Sequence, residues 1–382
     1  MQSFSRPILN LPAIAEEKKK PPLRQLSSVD GGMIAAIVAL VAIGLATVHS
    51  ASSEMPVDYL PRQAMWVGVG LVALLVVLSI DYHVLLDLSV VLYILGLISL
   101  VAVFFLGVKR GGAANWIQIA GFQFQPSEFA KLATALFLAR YLAGLNRRVL
   151  DLQQIAIAIG IVALPMVLVA AEPDMGGAAM YAPLIAGTLL VAGIRTRLLV
   201  ISACIAIVLG AGVWTFGMKG YQRQRVLTFL APERDPLGAG YQVRQSKIAV
   251  GSGELVGKGY MQGTQSQLRF LPARHTDFIL AVLAEEWGFV GVATVLGLYV
   301  LYITSGARIA MRARDRAGIL LVSGLLSITC FHVLYNSAMV VGFLPITGIP
   351  LPFLSYGGSF TMVNFISAGI MLGVDLRRYV NR

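Results

Sequence analysis

LPARHTDFILAVLAEE, residues 271–286, runs from a basic, glycine-rich polar stretch into a long apolar helix, with a single carboxylate, Asp277, at the junction. A charge at the edge of a hydrocarbon layer is costly, so a functional role is its default reading. Cations crowd the stretch before it, and Glu285 and Glu286 follow on the helix behind it. A carboxylate beside cations at a membrane surface suggests chemistry on an anionic lipid. The apolar run continues over 277–304, and a helix of that length and character belongs in a membrane.

The rest of the chain agrees. Of its 382 residues, 57% are hydrophobic and 13% are charged, and the mean hydropathy is +0.77. A soluble protein of this size carries about 25% charged residues. Long unbroken apolar runs exclude a transmembrane barrel, whose strands alternate over short segments. The fold class is therefore an all-α polytopic membrane protein of about ten transmembrane helices. The spans run over 33–50, 63–80, 84–106, 127–144, 153–171, 176–193, 198–217, 277–304, 317–342 and 359–374. This divides the chain into a basic tail (1–30), spans one to seven (31–217), a large extracytoplasmic loop between spans seven and eight (218–276), spans eight to ten (277–375) and a short tail (376–382). The tail 1–30 has the composition of a disordered segment near anionic lipid.

An even number of spans puts both termini on one side, and Lys/Arg content sets which. With cytoplasmic termini, Arg147, Arg148, Arg195, Arg197, Arg308, Arg312, Arg314, Arg316, Arg377, Arg378 and Arg382 all lie inside, and Lys109 and Arg110 are the main cations of the short outer loops. The long loop is the exception. It carries Lys219, Arg223, Arg225, Arg234, Arg244, Lys247, Lys258, Arg269 and Arg274 against Glu233, Asp235 and Glu254. It reads either as a solvated loop touching headgroups or as an anion site for a phosphate-bearing substrate. On the second reading GSGELVGKGYMQG (251–263) gives close backbone approach. The net charge of +11 is divided between the two membrane faces, which favours an anionic lipid over nucleic acid. The two Cys sit in apolar runs and the four His are scattered, so neither a disulfide nor a metal-ligand set is indicated. Acid spacing shows no metal site; a divalent cation, Mg2+ or Mn2+, is left open as a counter-ion for phosphate.

Four constellations carry candidate chemistry. Asp277 reads as a dipole-complementing acid in the first turn of span eight or as a general base. On one continuous helix, residues 277, 281 and 285 share a face, with Glu285 about 12 Å deeper and suited to pairing with a buried cation. In QPSEFAK (125–131), Ser127 suits an N-cap and Glu128 meets Lys131 at i, i+3, as a structural pair or with Lys131 holding a phosphate. Glu172, Pro173 and Asp174 ahead of Gly176 and Gly177 mark a turn between spans five and six. LPITGIPLPFLSYGGS (344–359) reads as a re-entrant outer loop over 343–359, which is tolerated only inside protein or along a cavity.

Together, QPSEFAK, PD-x-G (173–176), RHTDFILAVLAEE (274–286) and LPITGIPLPFLSYGGS resemble the SEDS family of bacterial cell-wall polymerases (shape, elongation, division and sporulation). With HVLYNSAMVVGF (332–343) the chain looks most like the elongation members. The resemblance covers nearly all of the chain from about residue 30. It implies a peptidoglycan glycosyltransferase of the bacterial inner membrane that polymerises lipid II during cell elongation, with its active site on the outer face. It also implies that Asp277 is the essential acid and that Glu128, Lys131 and Asp174 are charged cavity positions. The substrate-binding candidates beside them are Lys109, Arg110, Trp116, Arg223, Arg244, Lys247, Lys258, Arg269, Arg274, His275, Thr276, Ser355, Tyr356 and Ser359. Where the family has Arg before the Trp, this chain has Asn115. The implied ligands are lipid II and undecaprenyl-pyrophosphate-linked glycan. The implied partners are a class B penicillin-binding protein transpeptidase and other elongation-complex proteins. A lipid II flippase and a non-catalytic scaffold are the competing classes.

Overall fold

A computed structural model describes residues 29–53, 55, 57–110, 113–119, 122–145, 149–194, 197–198, 227–229, 231, 235 and 238–378. The expected span 198–217 beyond its first residue and the candidate Arg223 lie outside this set, as does nearly all of the tail 1–30.

The chain enters at α1 (Gly31–Ser52), whose first turn is capped by Asp30 accepting from Met33 N at 3.1 Å. It continues through α2 (Leu60–Ser79), the short α3 (Tyr82–Asp87) and α4 (Ser89–Leu106). A small sheet follows, made of β1 (Val108–Arg110), β2 (Ala113–Ile119) and β3 (Phe122–Phe124), paired antiparallel in that order. Next come α5 (Pro126–Gly144), α6 (Leu152–Ala171), the one-turn α7 (Met175–Ala179) and α8 (Tyr181–Ala192). After residues that are not described, α9 (Ala239–Ser252) and α10 (Thr264–Gln267) precede the last three long helices, α11 (Ile279–Arg312), α12 (Arg316–Val340) and α13 (Gly358–Arg377).

Among the described residues, eight helical stretches are long and apolar enough to cross a membrane: α1, α2, α4, α6, the combined Met175–Ala192, α11, α12 and α13. They coincide with the expected spans. The expected fourth span, α5, forms but is not among the eight, because Glu128, Lys131 and Arg140 interrupt it. Val72, Leu75, Ile98 and Phe105 on α2 and α4 are exposed, a surface that suits lipid and not water. Inside, α11 packs against α1 and α12, and α12 against α5 and α8, while α2 runs along α13. The first eight residues of α11, Ile279–Glu286, are buried all round.

Two features depart from the sequence expectation. The connection between spans three and four contains the three-stranded sheet. The paired pieces IQI (117–119) and FQF (122–124), around a short turn, alternate with period two, as strands do. The second is a break in α11 at Gly288, which has φ 64° and ψ −162°. The carbonyls and amides freed there are taken by the preceding loop. Lys258 N and Gly259 N donate to Glu285 O and Glu286 O at 3.0 Å, and Phe289 N and Val290 N donate to Glu254 O and Leu255 O at 2.9 and 3.1 Å. Cβ atoms added at Gly253 or Gly257 would strike the carbonyls of Ala284 and Glu286. The glycines do permit close backbone approach, but the partner is the broken helix. At 1.5 Å per residue α11 measures about 51 Å, well beyond a hydrocarbon core of about 30 Å; the part after Gly288 spans about 36 Å and is sufficient alone.

Candidate active site

Asp277 lies two residues before the start of α11, whose N-cap is Phe278. It is therefore not a first-turn acid, and it does not share a helical face with Ala281 and Glu285. Its position is set by backbone contacts. His275 O accepts from Tyr356 N at 2.9 Å. Thr276 O accepts from Ser355 Oγ at 2.7 Å. Asp277 O accepts from Asn336 Nδ2 at 2.8 Å. Three consecutive carbonyls are thus held, two of them by the loop between α12 and α13.

That loop, residues 341–357, has no helix, yet Ile349, Leu351, Phe353, Leu354 and Ser355 are buried. Buried irregular backbone needs partners for its polar groups. Side chains of the neighbouring helices supply them: Tyr335 Oη donates to Pro345 O at 3.0 Å, Tyr299 Oη to Pro352 O at 2.6 Å and Asn336 Nδ2 to Ile349 O at 2.7 Å. His332 Nδ1 lies 2.9 Å from Pro350 O. Ser355 Oγ also accepts from Leu351 N at 2.9 Å. Buried Gln63 completes the frame, donating to Ser355 O and Thr361 Oγ1 and accepting from Gly357 N. Outside it, His275 stacks on Tyr59 at 4.5 Å, with Tyr356 edge-on to Tyr59. Burial and then the charge of Arg274 lower His275 to about 4, so its ring is neutral at physiological pH.

The second part of the site is on α5. Gln125, not Ser127, is its N-cap, with Pro126 in the first turn. Lys131 Nζ meets Glu128 Oε1 at 2.8 Å, both side chains under a tenth exposed. The pair lines a small cavity of about 30 Å³ with His332, Thr329, Asn364 and Ser367. His332 and Asn336 are one turn apart on α12, so one helix face carries contacts toward both Lys131 and Asp277. Breaking a buried pair on one side is strongly destabilising, by about 3–5 kcal/mol. Lys131→Met should therefore lower the melting temperature sharply, and adding Glu128→Gln should restore most of it.

Asp174 caps α7, accepting from Gly177 N at 2.8 Å, and its other oxygen takes the amides of Asn115 (3.3 Å) and Gln125 (3.4 Å). Asn115 thus gives Asp174 a neutral donor where the family pattern has a cation. Glu172 is buried and, among the described residues, has no hydrogen-bond partner on either oxygen. Burial and then the Asp174 charge push its carboxyl up to about 8. A raised folded value means stability is fully present below the unfolded value and is lost as pH rises through 8. Glu172→Gln should leave the melting temperature at pH 5 nearly unchanged and raise it at pH 9, by about 2 kcal/mol of stability.

The remaining candidates separate. Lys258 pairs with fully buried Glu285 at 2.7 Å and also donates to Thr264. Arg274 is buried, donating to Ala51 O at 2.6 Å and to Ser266 O. Both cations hold the loop to its neighbours, so neither is left to stand with the exposed cations of the loop. Arg244, Lys247 and Arg269 are exposed. Half-buried Trp116 sits in β2 opposite Val108 in the strand of Lys109 and Arg110. Ser359 Oγ accepts from Gln125 N at 3.0 Å and donates to Gln123 O, tying α13 to the start of α5. The sequence reading passed over Asn336 and Gln63. A buried amide in an otherwise apolar helix was the available signal.

A family model described as cell cycle protein, covering FtsW, RodA and SpoVE, matches residues 32–379. The peptidoglycan glycosyltransferase MrdB of Escherichia coli (strain K12) is 41% identical over 352 residues, covering 92% of this chain and 94% of that protein. The peptidoglycan glycosyltransferase RodA of Treponema pallidum (strain Nichols) is 32% identical over 432 residues, covering 93% and 99%. A chain of a peptidoglycan synthase complex superposes with a TM-score of 0.80 at 32% identity, covering 92% of this chain and 98% of that one. RodA of Thermus thermophilus superposes with a TM-score of 0.69 at 28% identity, covering the same shares. With its spans, its Asp277 segment and its buried loop accounted for, the chain belongs to the FtsW/RodA/SpoVE family, the SEDS polymerases.

Proposed function

We propose that this chain is a peptidoglycan glycosyltransferase that polymerises lipid II into glycan strands in the bacterial inner membrane during cell elongation. The observation that carries the reading is Asp277, the only acid between Glu254 and Glu285, with its backbone fixed through three consecutive carbonyls. Asp277 takes the proton of the acceptor 4-hydroxyl as that oxygen attacks the anomeric carbon of the donor. The bond from that carbon to the pyrophosphate oxygen breaks, and undecaprenyl pyrophosphate leaves with the electron pair. The α-linked donor becomes a β-1,4 product, an inverting displacement that needs one base and no covalent nucleophile. A pyrophosphate leaves without protonation, so cations near it suffice. Lys131, Arg244, Lys247 and Arg269 are the candidates for that role.

Among the described residues no three His, Cys, Asp or Glu side chains converge as a metal centre, and no step is assigned to a resident ion. A divalent cation, Mg2+ or Mn2+, would arrive with the substrate's pyrophosphate. Both termini are cytoplasmic and Asp277 faces the outer surface, where a class B penicillin-binding protein cross-links the product. The buried Glu128–Lys131 pair within the helices would also suit a charged headgroup in transit, and this favours lipid transport as the second reading. Purified chain, with and without the transpeptidase and with and without chelator, should convert labelled lipid II to strands on a gel. Absence of strands in every arm would remove the glycosyltransferase reading.

A further inference from the structure

Asn336 is fully buried in the last two turns of α12. A buried primary amide is costly unless its donors are used. Both are: Nδ2 donates to Asp277 O at 2.8 Å and to Ile349 O at 2.7 Å, while Oδ1 has no hydrogen-bond partner among the described residues. One side chain thereby joins the segment bearing the base to the irregular loop. The other two carbonyls of this segment are held from the loop itself, by Ser355 and Tyr356. Asn336 alone of these three donors projects from a regular helix, and a site is held more accurately from a helix than from a loop.

The Ile349 contact matters as much as the Asp277 contact. The neighbouring Gly348 has φ 76°, and a Cβ built there would lie 3.6 Å from Asp277 Oδ2. The carboxylate of Asp277 thus packs beside the loop residue preceding the one Asn336 holds. The amide fixes both the backbone from which the carboxylate projects and the wall it rests against. The chemistry selects asparagine. Aspartate would set a carboxylate against two carbonyl oxygens, glutamine is one methylene too long, and serine has one donor for two acceptors.

We propose that Asn336 is the positioning residue for the Asp277 carboxylate and governs turnover, not substrate affinity. This rests on the assignment of Asp277 as the base. Displacing a reacting group by about 1 Å costs on the order of 100-fold in rate.

The test measures kcat, KM for lipid II and the melting temperature of Asn336→Ser and Asn336→Asp, with Asp277→Asn in the same assay. Asn336→Ser should lose about 10- to 100-fold in kcat per folded molecule, with KM within about twofold, since the residue does not touch substrate. If Asn336→Asp does not fold, Asn336→Ser decides alone. A lowered melting temperature with wild-type kcat per folded molecule, or a raised KM with unchanged kcat, would overturn the positioning role while an inert Asp277→Asn left the base assignment intact. Wild-type turnover by Asp277→Asn would overturn both.

Discussion

Asp277→Asn protein should fold, bind lipid II and polymerise nothing measurable. Asparagine has nearly the shape of aspartate, and the backbone carbonyl of residue 277, given to Asn336, is a contact the substitution leaves in place. The fold loses no charge partner that the buried pairs depend on, because Glu128 is paired with Lys131 and Glu285 with Lys258. What disappears is the proton acceptor. Removing a positioned base lowers turnover by about 10²- to 10⁴-fold, and no other acid lies between Glu254 and Glu285 to replace it. Turnover per folded molecule, beside a thermal melt, checks both halves of the expectation.

Gly288→Ala should destabilise the protein as strongly as breaking a buried ion pair. Residue 288 sits at φ 64° and ψ −162°, a region essentially reserved for glycine, where another residue costs about 1–3 kcal/mol. The added methyl would also meet Gly257 N and the Leu255 carbonyl, parting the loop from the break. Four backbone hydrogen bonds cross there, at about 1 kcal/mol each. Partial loss of these, added to the strain, gives about 3–5 kcal/mol, enough to unfold a marginal protein. Limited proteolysis should cut within 238–276 long before the wild type is cut. Gly257→Ala should act on the same contact, so the double variant should be less than additive. A Gly288→Ala protein with wild-type melting and proteolysis would mean the helix heals across the break, and the loop does not depend on it.

The spans and the motifs were legible because a membrane helix must be apolar along its length, and runs such as 33–50 and 317–342 leave little else to read. The site was legible only in part. Asp277 stood out as a lone acid, but its place before α11, outside the helix, depended on tertiary contacts with Ser355, Tyr356 and Asn336. The loop cations looked equivalent in sequence. Only the fold distinguishes Lys258, spent on Glu285, and Arg274, buried against Ala51, from exposed Arg244 and Arg269. The sheet carried a period-two signal only in IQI (117–119) and FQF (122–124), which is weak beside the apolar runs on either side. The glycines of 251–263 signalled close backbone approach, which is correct, but glycine spacing does not say what approaches. The partner is the break at Gly288, about thirty residues further along the chain.

The central claim is that this chain makes glycosidic bonds itself. The most direct measurement is the stoichiometry of undecaprenyl pyrophosphate released against disaccharide polymerised, with purified chain and its transpeptidase partner in detergent micelles. No bilayer is present there, so transport has no meaning. One pyrophosphate carrier released per bond formed, with none from Asp277→Asn, is the predicted result. No release and no polymer in micelles, from a protein that moves lipid II across liposome bilayers, would contradict it.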